Sequence, residues 1–312
     1  MKQKEKTMSR KEAKSTQVHN AHEQHHINGL LTRKDPFFVL KNKDCVAYKT
    51  LLSQLENLRP LLKEKNKWLT IGDYIGFEAK YLIEQNQQAT ASDISDVFLE
   101  VAHQQNLIGA YTKVNVEDID FEENHFDYLF CKEAFHHFPR AYLGLYEMIR
   151  VAKKGVVLIE PVDVLSKMPL LLLLKNVCDR FNPYLINKIW KNRFSWEVVG
   201  NYVFKISERE IEKIAMGMGL SCIAFKGINV RLSPIPAEWG NDKQIPFDRK
   251  LHKKLMNRMA VWNFICKLRI IPYNMLCAVV FKERPTKELM EELKRDKYRV
   301  IELPENPYLK KE

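Results

Sequence analysis

The chain reads as an α/β protein built on a parallel sheet wrapped by helices. Three observations carry that reading. Short apolar strands alternate with helices from Trp68 to about Asp163. Those strands are apolar on nearly every residue, as strands buried on both faces are. The first of them, Trp68–Ile71, runs into a turn bearing Gly72 and Gly76 and then into a helix. Such a turn lets backbone approach a ligand and offers it unpaired N–H groups.

The elements follow in order. Asp44 to Glu64 is expected to be helical, with Val46, Leu51, Leu52, Leu55 and Leu58 at helical spacing and Pro60 near its end. Trp68–Ile71 is the first strand and Phe77–Gln85 the helix after it; Ala89–Asp93 and Val97–Asn106 repeat the pair. Tyr111–Val116 is a third strand and Phe126–Cys131 a fourth, followed by a helix over Ala141–Val151. Lys154-Gly155 then turns the chain into a fifth strand, Val156–Pro161. Strands joined through helices in this way lie parallel.

After Asp163 the rhythm stops. Residues 165–206 form an apolar, then aromatic and basic segment holding Lys175, Arg180, Lys188, Trp190, Lys191, Arg193 and Trp196. Ser207-Glu208-Arg209-Glu210 is a capping box, and its helix runs to Met216 and ends at Gly217 or Gly219. Ser221–Val230 is a sixth strand. A loop with Pro234, Pro236 and Pro246 precedes a basic amphipathic helix from about Arg249 to Leu268, and Asn274–Phe281 is the last strand. The tail from Pro285 holds one charged helix and a proline-punctuated end. The organisation expected is an N-terminal arm (1–43), a main domain (44–283) with insertions at about 165–206 and 233–270, and a C-terminal helix and tail (284–312).

Composition narrows the class. The 312 residues are 46% hydrophobic and 29% charged, the balance of a globular protein with ample core. Cysteines at 45, 131, 178, 222, 266 and 277 form no C-x-x-C pair. That pattern supports neither a zinc site nor a disulfide framework, and implies reduced thiols in the cytoplasm. Met1–Lys14 lacks the apolar stretch of a secretory signal, and no apolar run approaches the ~20 residues of a membrane span. The net charge of +11 fits nucleic acid, an anionic membrane surface or an acidic substrate. Residues 1 to about 28 are polar and charged, the composition of a mobile arm or frayed helix. Within them His22 and His26 would share a helix face, the geometry of a metal pair. With no Cys or acidic set beside them, the expectation is a solvated or substrate-covering arm and no metal.

Candidate site residues gather at the carboxyl ends of the strands. Asp93 closes the second strand about 20 residues beyond Gly72, where an acid in nucleotide-binding folds accepts ribose hydroxyls. Asn115, Val116 and Glu117 close the third, where a side-chain carbonyl and backbone N–H groups suit an adenine edge. Cys131 to Phe138 follow the fourth, with His136 and His137 in an aromatic setting. The bland alternatives are turn glycines, a helix cap at Asp93 and packed histidines.

With these residues in view, the sequence resembles the class I S-adenosylmethionine-dependent methyltransferases, in their small-molecule form. The resemblance spans roughly residues 65–165. It rests on Leu69-Thr70-Ile71-Gly72 with Gly76, Thr90 to Ser95, Glu117 to Phe121 with Asn124 to Asp127, His136 to Arg140, Tyr146 to Gly155, and Leu158 to Pro161. It implies a Rossmann-like, three-layer αβα sandwich whose seven-stranded, mostly parallel sheet ends in an antiparallel last strand. It further implies that Gly72, Asp73 and Gly76 hold the methionine part of the cofactor, that Asp93 holds the ribose, and that Asn115, Val116 and Glu117 face the adenine, with Ile94 and Cys131 also among the cofactor contacts. Candidate bases for an in-line methyl transfer are His137, then His136, with Glu133 or Glu160 orienting or substituting. The family usually carries an acid where Thr70 stands, which Asp73 could replace. Tyr74 takes the place of the middle glycine, so either the turn shifts or the ring fills it.

The resulting expectation is a methyltransferase acting on a small or carrier-linked acceptor. O-methylation of a sugar in surface-polysaccharide synthesis is one instance. It would be cytoplasmic, with peripheral contact at the inner membrane face through the basic helix near 249–268. Two other readings stand beside it. A non-catalytic scaffold or regulator is suggested by Thr70 and Tyr74, and an RNA methyltransferase by the charge. The latter lacks an Asn-Pro-Pro signature after the fourth strand, where Cys131-Lys132-Glu133-Ala134 stands.

Overall fold

Eight strands lie in one sheet: β1 (Lys67–Ile71), β2 (Gln88–Asp93), β3 (Tyr111–Lys113), β4 (Phe126–Lys132), β5 (Ala152–Pro161), β6 (Cys222–Ile228), β7 (Met275–Phe281) and β8 (Arg299–Glu302). The computed structural model describes residues 17–29, 32, 35–163, 167–185, 195–197, 200–229 and 249–308. Strand order is β3-β2-β1-β4-β5-β7-β6-β8. The first five strands pair in parallel, and β7 enters antiparallel between β5 and β6. Connections from β1 run outward one way to β2 and β3, and from β4 the other way to β5. The carboxyl edge between β1 and β4 is therefore the switch point, where open α/β sheets bind ligands.

Ten α-helices are described: α1 (17–29), α2 (Phe38–Lys41), α3 (Val46–Leu55), α4 (Phe77–Glu84), α5 (Val97–Gln104), α6 (Ala141–Val151), α7 (Pro169–Phe181), α8 (Glu208–Gly217), α9 (Arg249–Lys267) and α10 (Lys287–Arg295). Because side chains alternate across a strand, Trp68 and Leu69 feed opposite apolar layers. On one face Trp68, Tyr128 and Val157 meet Leu55 of α3, Leu82 of α4, Phe98 of α5 and Leu293 of α10. On the other, Leu69, Leu129 and Val156 meet Leu145 and Met148 of α6 and Ile211 of α8. Trp68 and Tyr128 stack at 4.7 Å across β1 and β4. This is the expected three-layer sandwich.

Four local expectations change. The sheet has eight strands, not seven, because Tyr298 tucks beneath the sheet edge, its hydroxyl donating to the Asn57 carbonyl at 2.8 Å, and lays β8 antiparallel on β6. Lys154-Gly155 is not a turn, since β5 continues through it from Ala152. Glycine is needed there because a Cβ would lie 2.5 Å from the Val280 carbonyl of β7. The helix expected over 44–64 breaks after Leu55 into a 3-10 stretch, Glu56–Leu62, around Pro60. The third strand stops at Lys113, although the Val114 N–H still donates to Asp93 at 2.9 Å.

The capping box forms as expected. Ser207 Oγ accepts from the Glu210 N–H at 3.2 Å and Glu210 accepts from the Ser207 N–H at 3.0 Å. Lys188, Trp190, Lys191, Arg193 and the loop prolines at 234, 236 and 246 lie outside the described residues, as do Met1–Lys14. Among the described residues, no helix is long and apolar enough to cross a membrane.

Candidate active site

The turn after β1 is shaped by one close approach. Gly72 has φ +69°, and a Cβ on it would fall 2.3 Å from Ala134 Cβ in the loop after β4. The two loops flanking the switch point therefore touch, and only glycine fits between them. Asp73 follows, buried, and its carboxylate accepts from the Glu78 and Ala79 N–H groups at 3.1 and 2.8 Å and from the Thr70 hydroxyl at 2.8 Å. It caps the first turn of α4, while burial and the nearby Glu78 push its carboxyl well above the usual range. Gly76 is the N-cap residue itself, at φ +79°. Tyr74 does not adopt the left-handed backbone of the two glycines. Its ring packs on Phe98 at 4.3 Å and on His26 at 4.5 Å, flanking the turn.

A cavity of about 560 Å³ opens at this edge. Of the sequence-predicted residues, Gly72, Asp93, Ile94, Asn115, Val116 and His137 line it. Asp73, Gly76, Glu117, Cys131, His136 and Glu160 do not line it, each for a physical reason. Asp73 and Gly76 build the cap of α4. Glu117 accepts from the Arg140 N–H and Nε, both at 2.7 Å, and so fixes the start of α6. Cys131 is fully buried, its Sγ 3.7 Å from Glu160, and burial raises its thiol. These four stand behind the cavity wall, where they support the residues that line it.

Glu160, at the end of β5, is also fully buried. One oxygen accepts from the Ala134 and Phe135 N–H groups at 2.8 and 2.9 Å, and the other pairs with His136 Nδ1 at 2.7 Å. It fixes the loop after β4 and orients an imidazole, the orienting half of its expected role. Burial is the largest single influence and works against charge on His136, but the hydrogen bond and charge of Glu160, with the charges of Glu197 and Glu133, together outweigh it and the net shift is upward. His137 moves the other way. Burial and the neighbouring His136, its ring 4.0 Å away, lower it and favour the neutral imidazole.

Asp93 keeps its place facing the cavity. It is 5% exposed, with one oxygen accepting from the Ser95 N–H at 3.0 Å. Burial pushes its carboxyl up to about 7. Asn115 holds the next corner, its Oδ1 accepting from the Glu117 N–H at 3.0 Å.

Two further walls complete the cavity. The arm, expected to be mobile or a frayed helix and solvated or substrate-covering, forms α1, whose His19, His22, His25 and His26 face the cavity. His26 Nδ1 stands 3.5 Å from Asp93, and His19 Nε2 stands 4.0 Å from Glu117. The spacing of the histidines was visible, but their target was not. The second wall is Trp196 and Glu197, with Glu197 Oε2 2.8 Å from His137 Nδ1. They come from the segment after β5, tied down where Phe204 N–H and Asn201 Nδ2 donate to the His136 carbonyl at 3.3 and 3.4 Å. The aromatic and basic content of that segment hinted at a cap but did not single out Glu197.

Comparison with known proteins agrees with this architecture. Residues 69–159 match the model of a methyltransferase domain. No curated protein matches the chain. A SAM-dependent methyltransferase of Thermotoga maritima is similar at 14% identity and a TM-score of 0.44, covering 79% of this chain and 93% of its own. Phosphoethanolamine N-methyltransferase 2 of Haemonchus contortus, solved with phosphomonomethylethanolamine and S-adenosylhomocysteine, is 16% identical with a TM-score of 0.43, covering 74% and 53%. Magnesium protoporphyrin IX methyltransferase of Synechocystis, with bound SAH, is 16% identical with a TM-score of 0.38, covering 55% and 72%. That signature, over residues 69–159, identifies a methyltransferase domain within the chain.

Proposed function

We propose that the cavity binds S-adenosylmethionine along the β1–β4 edge and passes its methyl group to a hydroxyl of a small or carrier-linked acceptor. The observation that carries this reading is that Gly72, Asp93 and Asn115, from three successive strand ends, face one cavity. In this arrangement the Gly72 turn takes the methionine portion, Asp93 the ribose hydroxyls and Asn115–Val116 the adenine. The cavity volume of about 560 Å³ lies within the range of small-molecule sites. Tyr74, packed on Phe98 beside the turn, supports cofactor binding over a purely scaffolding role.

The acceptor end is formed by His137, Trp196 and Glu197. An aromatic face beside a carboxylate suits a sugar ring, whose C–H face stacks and whose hydroxyls donate. A sugar of a surface polysaccharide, presented on a carrier, is the acceptor this supports. When bound, S-adenosylmethionine would supply an electrophilic methyl group on a sulfonium leaving group. His137, held neutral by its surroundings, would take the proton of the acceptor hydroxyl as its oxygen attacks. The segment around 195–206 acts as an acceptor cap on the main domain.

Two exposed faces suit a carrier at a membrane. Helix α7 has no buried residue and leaves Leu170 and Phe181 about four-fifths exposed, at 82% and 81%. Helix α9 exposes Val261, Trp262 and Phe264 together with Lys253, Lys254 and Arg258. Apolar side chains beside cations are the composition of a surface that rests on anionic lipid. The core claim is tested by isothermal titration with S-adenosylmethionine. The wild type is expected to bind and Asp93→Ala to bind far more weakly; absence of wild-type binding overturns the proposal.

A further inference from the structure

The loop after β4 and the cap segment bring a set of metal ligands to the acceptor end of the cavity. His136, His137 and Glu197 each place one donor atom such that all three lie within 4.8 Å of one another. The geometry points to a binding site for one divalent first-row ion of the zinc type, held by His136, His137 and Glu197. Two imidazoles and a carboxylate are a donor set that zinc uses when it keeps a fourth position open.

Three features favour an ion over a simple hydrogen-bonded cluster. The first is orientation. His136 Nδ1 pairs with the buried Glu160 carboxylate at 2.7 Å, so Nε2 is the nitrogen left to meet an ion. A carboxylate behind a histidine is the arrangement that orients metal-binding imidazoles and strengthens them as donors. The second is alignment. His137 Nδ1 lies 2.8 Å from Glu197 Oε2, yet it has no partner with hydrogen-bond geometry. The two groups are close without pointing along a shared proton.

The third is freedom to adjust. A tetrahedral zinc site needs its donor atoms about 3.4 Å apart, so the 2.8 Å His137–Glu197 pair must open while wider pairs, up to 4.8 Å, close. The side chains of His137 and Glu197 are 33% and 28% exposed, whereas that of His136 is only 10% exposed. One anchored ligand and two adjustable ones suit that adjustment around an ion. The next imidazole, His22 of α1, is 5.7 Å from the His137 ring.

The ion would sit where the acceptor oxygen is proposed to lie, and this role rests on the methyltransferase reading. An acceptor hydroxyl on its open position would be more acidic and better fixed for in-line attack, by Lewis acidity. With His137 engaged as a ligand and not as base, the acidified hydroxyl would release its proton to solvent water. Binding itself needs neither cofactor nor acceptor, so failure here and failure of the methyltransferase reading are separable.

The test uses the full chain, stripped with a chelator and titrated with cobalt(II) and zinc(II) in the absence of S-adenosylmethionine. The expected result is one ion per chain, visible d–d bands of low-symmetry cobalt, and displacement by zinc. Glu197→Gln is expected to weaken the ion by at least about tenfold, with an unchanged unfolding midpoint for the metal-free protein. Because α1 offers competing imidazoles, a variant with His19→Ala, His22→Ala, His25→Ala and His26→Ala runs in parallel and is expected to retain the ion. Should Glu197→Gln fold poorly, His137→Gln replaces it. No stoichiometric binding by the wild type, or equal binding by Glu197→Gln and His137→Gln, overturns the site. So does loss of the ion only when the α1 histidines are removed.

Discussion

Asp93 sets ligand binding against stability, and Asp93→Asn separates the two. Its carboxyl is buried and sits near 7, against about 3.9 in an unfolded chain. The folded value is the higher one, so the native state holds a proton more tightly than the unfolded state does. Below about pH 4 both states are protonated and the burial costs nothing; the cost grows as pH rises toward 7 and is complete above it. The difference corresponds to at most about 4 kcal/mol at pH 8. Asparagine carries no charge and keeps an oxygen for the Ser95 N–H. Asp93→Asn is therefore expected to stabilise the protein at pH 8, with a gain that shrinks toward pH 4.

Binding responds with the opposite sign. Ribose hydroxyls donating to an ionised carboxylate are worth about 1.5–3 kcal/mol more than no bond, so the variant binds S-adenosylmethionine about 10- to 150-fold more weakly. The wild type should also lose affinity as pH falls. Between about pH 8 and pH 6 the ionised fraction drops from about nine-tenths to about one-tenth, a tenfold loss of apparent affinity. Titration calorimetry at both pH values and urea unfolding across the range read the two effects on the same samples. Wild-type affinity in Asp93→Asn, or affinity independent of pH between 6 and 8, refutes the ribose assignment.

Further outcomes follow from the same geometry. Glu160→Gln keeps one acceptor oxygen for two backbone N–H groups and an imidazole, so urea unfolding should show a loss of about 3 kcal/mol; unchanged stability would remove its positioning role. Gly72→Ala places a Cβ 2.3 Å from Ala134 Cβ at φ +69°, and should cost about 2 kcal/mol or more together with cofactor affinity. Leu170→Ser with Phe181→Ser, two exposed positions of α7, should reduce co-sedimentation with vesicles of anionic lipid while leaving the unfolding midpoint in place. Equal sedimentation of the pair variant and wild type would argue against a membrane-facing α7.

How much of this was legible in the sequence depends on whether a residue's reason is local. Strands β1, β4 and β5 were visible because their central residues are buried on both faces and mostly apolar. β8 was not, since Arg299 and Glu302 give an edge strand little pattern, and Tyr298 anchors it by a bond to residue 57, far away in sequence. Lys154-Gly155 looks like a turn locally, yet its glycine answers to the carbonyl of Val280 on another strand. Gly72, Asp93, Asn115 and Val116 were found because strand ends in a parallel sheet necessarily meet at one edge. Asp73 and Glu160 occupy equally promising positions, but the backbone N–H groups they receive became visible only in three dimensions. Glu197 had no signal because the chain between β5 and α8 must fold back before it meets His137.

The cavity thus has walls of two kinds, and their energetics differ. The sheet edge is held by buried strands and by the fixed carboxylates of Asp73, Glu117 and Glu160. Helix α1 is held largely by polar contacts: His26 with Asp93 at 3.5 Å, His19 with Glu117 at 4.0 Å, Glu23 with Lys113 at 2.5 Å and His22 with Asn201 at 3.2 Å. Glu23 with Lys113, the most exposed of these, is worth about 1 kcal/mol or less, whereas Asp93 and Glu117 are buried partners. On the proposed assignment α1 covers Asp93 and the ribose half, while Trp196 and Glu197 cover the acceptor half. The His22–Asn201 contact at 3.2 Å joins the helix over the cofactor to the segment over the acceptor. Cofactor seated under α1 would leave that contact, and with it the acceptor wall, in place for the second substrate.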